Sequence, residues 1–592
     1  MPDNTNRNTI IFAVCAAILL LAYQMLVMGP QTQRRQAELK ARETAQAAAP
    51  VGSLAPRGGT KPIYATRAQT LAASPRAPID TPSLQGSVRL KGARIDDLVL
   101  KAYRQTVDPK SPAVELLRPE GVEHAWFAEF GWTGANLPGL PAADSLWTVA
   151  EGTSLAPGKP LVLTYTNGQG LSFTRKIEVD DKFMFTVTDQ VANTTAMPIT
   201  IVPYASVQRQ GAPTVQTTNA HEGAVGVMDG ILQMKNYKDW KKGGEKDFSA
   251  KGGWLGITDK YWLAAIVPDQ SEQIHAAYRV TPSAGIDVFE TNFVGQPRAV
   301  APGQSLTHVS HLFAGAKTVP ALKAYETSLG IPKFVDAIDW GRLYFITKPI
   351  FWTLEKFFSI FGNFGLAILA LTVVVKIIFF YPANLSFESM TKMKKIQPEV
   401  EALRVKFKED PAKQQQELMG LYAKEKINPL LGCLPMLATI PVFLALFKVL
   451  SVSIEMRHAP FFGWVQDLSA PDPTSLFNLF GLIPWDPGML PMVGPLLAHL
   501  GIWPLLYGFG QWLTMAMSPP APDPTQQKMM QWMPVIFTFM LSSLSVGLLI
   551  YYSWSNLLTI LQQYVIMRRF KVDNPIDRIL GRLTGKPAQA TG

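Results

Sequence analysis

Lys376 stands inside a long apolar run, Leu371-Thr-Val-Val-Val-Lys-Ile-Ile-Phe-Phe-Tyr381. A cation at the centre of a membrane helix costs about 2.5–3.5 kcal/mol on insertion scales, so such residues face a cavity or a partner. No Asp or Glu lies within the other apolar runs to pair with it. An unpaired buried ammonium demands water, and a water-filled groove open to one side of a bilayer is the simplest resolution. The alternative is snorkelling, since Pro382 is only about 9 Å further along a helix. Other polar residues can share that groove. Thr372 precedes Lys376 by one helical turn, Thr439 sits in a second apolar run, and Tyr552, Ser555, Asn556 and Thr559 sit in a third. One cation among hydroxyls and amides can bind and orient a polar or acidic segment. It offers no nucleophile and base pair, and His499, the one histidine among these runs, has no acidic neighbour in them. The expectation is a non-enzyme with no catalytic residue, no metal and no cofactor. The two cysteines, Cys15 and Cys433, both lie in apolar stretches and suggest neither a disulfide framework nor a metal site.

The elements that would position these residues can be read from apolar length. Runs from about 363 to 381, 430 to 450 and 496 to 517 are each long enough to cross a hydrocarbon core. The uncharged stretch between Lys528 and Arg568 holds 39 residues. As one helix it would be about 58 Å long, so two spans turning near 542–547 are expected. With an N-terminal run from Ile10 to Met28, read as an uncleaved anchor, the count is six, five of them forming a core over 362–567. Charge sets the orientation. Nine Lys and Arg lie between Ala383 and Asn428, six follow Met567, and one, Arg457, lies between Ser451 and Pro495. Cytoplasmic loops collect such residues, so both termini and a helical hairpin at 384–428 are expected in the cytoplasm. Asp410 followed by Pro411 marks the start of the hairpin's second helix.

The rest of the chain, 592 residues with a formal net charge of +10, divides by composition. Residues 1–30 hold the anchor, and 31–85, rich in Ala, Pro, Gln, Arg and Ser, read as a flexible linker. From 86 to 325, alternating runs such as Leu161–Thr166, Met184–Asp189 and Tyr261–Val267 between Gly, Asn, Asp and Pro turns predict an all-β sandwich outside the membrane. Its histidines 124, 221, 275, 308 and 311 are scattered, with 308 and 311 on opposite strand faces. Residues 332–361 predict an amphipathic interfacial helix with a break near Pro349. Residues 568–592 form a basic cytoplasmic tail able to touch ribosomal RNA or anionic membrane lipid.

Several strings, in this order, resemble the YidC/Oxa/Alb family of membrane insertases, in its bacterial YidC type. They are Glu388-Ser-Met-Thr-Lys-Met-Lys-Lys-Ile-Gln-Pro398, Asn428-Pro-Leu-Leu-Gly-Cys-Leu-Pro435, Ile440-Pro-Val-Phe-Leu-Ala-Leu446, Asp467-Leu-Ser-Ala-Pro-Asp472, Met533-Pro-Val-Ile-Phe537 and Tyr551-Tyr-Ser-Trp-Ser-Asn556, with Gly256-Ile-Thr-Asp-Lys-Tyr-Trp-Leu-Ala-Ala265 in the β region. The resemblance implies a bacterial inner-membrane insertase and chaperone with a large periplasmic domain. It implies nascent membrane proteins as clients and work alone or with the Sec translocon, while the basic charge of the hairpin and tail makes the ribosome an expected contact. It implies a groove cation that is usually arginine, here Lys376, and client contact at Thr372, Thr439 and Tyr552. The family pattern is departed from at about 479–503, which is unusually long, apolar and Pro-rich. Two other classes compete: a small-solute transporter, which would favour internal repeats, and a non-catalytic scaffold of the translocation machinery. No small-molecule substrate is expected.

Overall fold

The computed structural model describes residues 64–584, apart from 136, 214–218, 284, 428–433, 491–493 and 520–523. The expected N-terminal anchor, most of the expected linker and the end of the tail lie outside the described residues.

Residues 76–316 build two antiparallel sheets, ten and nine strands wide. The first runs from Arg76–Asp80 through Leu84–Arg89, Arg94–Arg104, Trp126–Thr133, Ile199–Gln210, Ile286–Val294 and Gln273–Ser283 to Lys246–Lys251. The second runs from Ile231–Asn236 through Gly223–Met228, Trp254–Thr258, Trp262–Val267, Ser305–Ala316, Met184–Asn193, Leu171–Val179 and Leu161–Thr166 to Thr148–Glu151. Alternation shows most plainly in Leu171–Val179, where every second side chain is buried, as a strand with one face on a core requires. The first sheet begins with Arg76–Asp80 paired to Leu84–Arg89, inside the stretch whose composition reads as linker. An edge strand containing Pro78 and Asp80 carries little apolar signal.

The interior also holds charge. Arg175 and Asp189 face each other across neighbouring strands, and the guanidinium donates two hydrogen bonds to the carboxylate, at 2.7 and 2.8 Å, and a third at 3.1 Å to the Ala93 carbonyl. Arg175 also lies over the Trp147 ring, 5.2 Å from its centroid. Every strong demand of that buried cation is met by fixed partners.

Helices Arg67–Ala72 (α1) and Tyr237–Gly243 (α2) belong to the β region, and Val319–Ser328 (α3) leads out of it. The helical region then comprises Tyr344–Phe361 (α4), Phe364–Ile378 (α5), Phe380–Lys395 (α6), Gln397–Lys406 (α7), Pro411–Lys424 (α8), Leu434–Val452 (α9), Gly494–Ala498 (α10), Ile502–Met517 (α11), Pro524–Leu541 (α12), Val546–Arg569 (α13) and Pro575–Thr584 (α14). Contrary to the expected break, α4 runs through Pro349. The ring there removes only the bond to the Phe345 carbonyl, while the Thr347 and Thr353 hydroxyls close on the Leu343 and Pro349 carbonyls. Gly362, in the left-handed conformation, ends α4 and Asn363 caps α5 through the Leu366 amide. The long uncharged stretch divides into α12 and α13 at residues 542–545.

Among the described residues no single helix is both long and apolar enough to cross a membrane. The pair α5 and α6 reaches that length and composition together, bent by 69°. Pro382 explains the bend: it has no N–H for the Ile378 carbonyl, and its ring opposes straight continuation of α5. In the hairpin region Asp410 accepts the Lys413 amide at 3.0 Å and caps α8.

Candidate functional site

Four helices, α5, α9, α11 and α13, bring the polar residues together. α11 packs along α13 because glycines let backbones approach: a Cβ on Gly510 would lie 3.2 Å from the Asn556 Cβ, and one on Gly508 would meet the Thr538 hydroxyl of α12 at 2.1 Å. α5 also packs against α13, where Lys376 meets Thr559. Between them lies a cavity of about 390 Å³, floored by Pro382, Ala383, Phe387 and Met390 of α6.

Its walls carry Lys376, Thr439, Tyr552, Ser555 and Asn556. The Lys376 ammonium donates to the Thr559 hydroxyl at 2.6 Å, and Thr559 in turn donates to the Ser555 carbonyl at 2.8 Å. Among the described residues no carboxylate is paired with Lys376. Thr372 does not reach the cavity: it is buried one turn away and donates to the Ile368 carbonyl at 2.7 Å. Tyr552 stands between the rings of Phe443 and Tyr507, at centroid distances of 5.2 and 5.5 Å.

Further polar wall residues escaped the sequence reading. Gln511 and Thr514 on α11, and Gln562 and Gln563 on α13, also line the cavity. Their signal was uncharged amides and a hydroxyl inside apolar runs, at positions three or four apart from other wall residues. Among the described residues the buried Nδ2 of Asn556, Nε2 of Gln562 and Oε1 of Gln563 have no partner. Buried polar atoms are rarely left so. Such a wall can therefore accept water or the polar groups of a guest, and its one charge favours an acidic guest. Away from the cavity the helices turn apolar side chains outward, with Ile377, Phe509, Trp532 and Leu557 all more than 45% exposed.

A second polar cluster joins the helices to the β region. Lys448 on α9 pairs with Asp339 at 2.5 Å and donates to the Asn219 carbonyl at 2.9 Å. Asp339 also accepts the His221 and Gly341 amides. Burial alone would raise the Asp339 pKa, but the Lys448 bond and charge hold it below the usual carboxylate value. Just past α9, Glu455 accepts the Val319 amide at 3.3 Å; burial raises its pKa to about 7. Arg457 donates to the Arg104 and Gln105 carbonyls at 2.6 and 3.1 Å. Lys448 was not singled out from sequence because it lies at the outer end of an apolar run, where a lysine can simply reach water. The histidines stay dispersed, and among the described residues no three His, Cys, Asp or Glu side chains are placed to hold a metal ion.

Residues 76–353 match the family described as YidC periplasmic domain, and residues 356–574 the family described as 60Kd inner membrane protein. A Caulobacter vibrioides (strain NA1000 / CB15N) protein named membrane protein insertase YidC is 57% identical over 614 residues, covering 100% of each chain. A protein of the same name from Methylorubrum extorquens (strain PA1) is 46% identical over 596 residues, covering 96% of each. A solved structure, described as an active YidC insertase crystal structure with the first transmembrane domain resolved, is similar at a TM-score of 0.36 and 16% identity, over 85% of this chain and 94% of that one; so loose a likeness adds no weight.

Proposed function

Because the chain belongs to the YidC family of membrane protein insertases, an inner-membrane family with a periplasmic domain and a non-enzymatic task, we propose that the cavity around Lys376 is where client segments are received. The observation that carries this reading is the cavity wall itself: among the described residues, one ammonium answered by a hydroxyl, beside amides with unpartnered polar atoms. A client's polar tail enters from the α6 side, where the floor of the cavity meets the hairpin. Water, amides and Lys376 lower the cost of taking that tail out of bulk solvent. An acidic tail gains most. The client's apolar segment moves along the outward faces of the helices and partitions into lipid, a step driven by about 20 apolar residues. Membrane potential adds about 2 kcal/mol per acidic charge carried outward for each 100 mV.

The same reading takes six spans, five around the cavity, with both termini and the hairpin in the cytoplasm. It is supported by the Lys and Arg distribution and the outward apolar faces. The core limits set out from composition, 362–567, belong to it as well, while the periplasmic sandwich is taken to start at Arg76 rather than at 86. The ribosome is a partner through exposed basic residues such as Arg568 and Arg569 at the end of α13; work with the Sec translocon rests on family likeness alone. Thr372 has a supporting role, packing α5 rather than touching the client.

The test is insertion of a single-span client with a short acidic tail into liposomes holding the purified protein, read by protease protection of the tail. Lys376→Ala is expected to lower protection about tenfold, equivalent to about 1.4 kcal/mol, and Lys376→Arg to retain it. Equal protection by all three proteins would remove Lys376 from the mechanism.

A further inference from the structure

The connection from α9 to α11 makes an apolar excursion. Between Asp472 and Gly501 it has no Lys or Arg, and Asp486 is its one carboxylate. Its root is closed by hydrogen bonds. The buried Asp472 carboxylate accepts the Trp503 amide at 2.9 Å, in the first turn of α11, and the Thr474 amide and hydroxyl at 3.0 and 2.7 Å. The Thr474 hydroxyl accepts the Ile502 amide at 3.1 Å. Across the root, the Ser475 hydroxyl donates to the Leu497 carbonyl at 2.7 Å and the Leu476 amide to the Leu500 carbonyl at 2.8 Å. A carboxylate over first-turn amides also complements the positive end of the α11 dipole. The excursion is thus fixed rigidly to the start of α11, the helix that carries Gln511 and Thr514 into the cavity wall.

Beyond this root, the backbone serves itself. The Phe480 amide donates to the Ser475 carbonyl, Ile483 to Asn478, Trp485 to Ile483 and Met489 to Asp486; Gly481 donates to the Asn478 side chain. Meanwhile the apolar side chains turn outward. Leu482 and Met489 are 84% and 80% exposed, and Phe477, Phe480, Ile483 and Trp485 stand exposed beside them. Leu479 and Phe480 hold left-handed backbone, φ 49° and 59°, a conformation unfavourable for such residues. A segment that closes its own backbone hydrogen bonds while presenting large apolar groups is suited to lipid, which offers no hydrogen bonds, and poorly suited to water. The side is fixed by its neighbours, since the same connection carries Glu455 and Arg457, which bond the β domain.

We propose that residues 476–490 are a membrane-surface platform seated in the periplasmic leaflet, setting the height of α11 and hence of the cavity wall relative to the bilayer. Trp485, beside Asp486, sits at headgroup level, as interfacial tryptophans do. This rests on the spanning arrangement proposed above, and the test separates the two.

The full chain, with Cys15 and Cys433 replaced by Ser, is spin-labelled at Leu482→Cys or Met489→Cys and placed in liposomes. Label collision rates with oxygen and with a water-soluble nickel chelate are compared with those of two reference labels. One is Met197→Cys, exposed on the β domain, and the other is Leu557→Cys, on the outward face of α13. The expected result is several-fold higher oxygen contact and lower nickel contact at 482 and 489 than at 197, resembling 557. Aqueous behaviour at 482 and 489 with a lipid-like 557 would overturn the platform alone. Shielding from both reagents would mean that a second copy of the chain covers the patch, which also overturns it. Aqueous behaviour at 557 would overturn the spanning arrangement itself.

Discussion

Arg175 and Lys376 are both removed from bulk water, yet they are treated in opposite ways. Arg175 lies between two sheets with a bidentate carboxylate, a backbone carbonyl and an aromatic face around it. Among the described residues Lys376 has a single threonine hydroxyl as partner, and a cavity beside it. A cation whose partners are all supplied by the fold is a structural fixture. One that is only partly answered keeps the capacity to bind something that arrives later. The two sites therefore differ in what removing charge should damage: folding in the first case and client handling in the second.

The largest effect should come from unbalancing the β domain. Asp189→Asn leaves the Arg175 guanidinium buried without its carboxylate, and breaking a buried pair costs about 3–5 kcal/mol. Thermal unfolding of the purified chain in detergent, followed by limited proteolysis of residues 76–316, is expected to show that loss. A change near zero would mean that the carbonyl and aromatic contacts suffice, and would erase the contrast with Lys376.

Glu455 is an intermediate case, a buried carboxyl near Tyr103 and Glu355 with a backbone amide as partner. Its folded pKa of about 7 lies above the ordinary value of 4.5. Between those values the folded state holds a proton that the unfolded state releases, so stability falls as pH rises from about 4.5 to 7 and stays at the lower level above it. The difference is on the order of 3 kcal/mol. Melting at pH 5 and pH 8 should show this decline, and Glu455→Gln should flatten it.

The smallest effect tests the partial answer given to Lys376. Thr559→Val removes the hydroxyl that accepts the Lys376 hydrogen bond and is expected to cost about 0.5 kcal/mol of ordering. Client protection in liposomes should change less than twofold or threefold, while melting stays nearly constant. A loss as large as that of Lys376→Ala would mean that the hydroxyl, and not the charge alone, orients the client.

What could be read from sequence followed the strength of local patterns. Alternation exposed strands such as Leu171–Val179, and the length of the uncharged stretch forced a break that falls at 542–545. A lysine among apolar residues marked Lys376 because its cost there is high. Thr372 shows the limit of helical spacing: it lies one turn from Lys376, but its hydroxyl is taken up by its own helix at the Ile368 carbonyl. The Arg175 and Asp189 pair depends on strand register across 14 residues, and Lys448 with Asp339 on a meeting of two regions; neither leaves a local trace. The fixed root at Asp472 was equally hidden, because a turn held by side chains has no periodicity.

The bend at Pro382 has an electrostatic consequence. Lys376 occupies the last turn of α5, and a helix ends with carbonyl oxygens that lack amide donors, the negative pole of its dipole. Proline at 382 prevents the next turn from supplying one of those donors. Lys376 thus belongs to the turn that ends at this pole, and among the described residues no acidic side chain is paired with its ammonium. On the proposed reading, a client carboxylate would meet this cation without having to displace a rival.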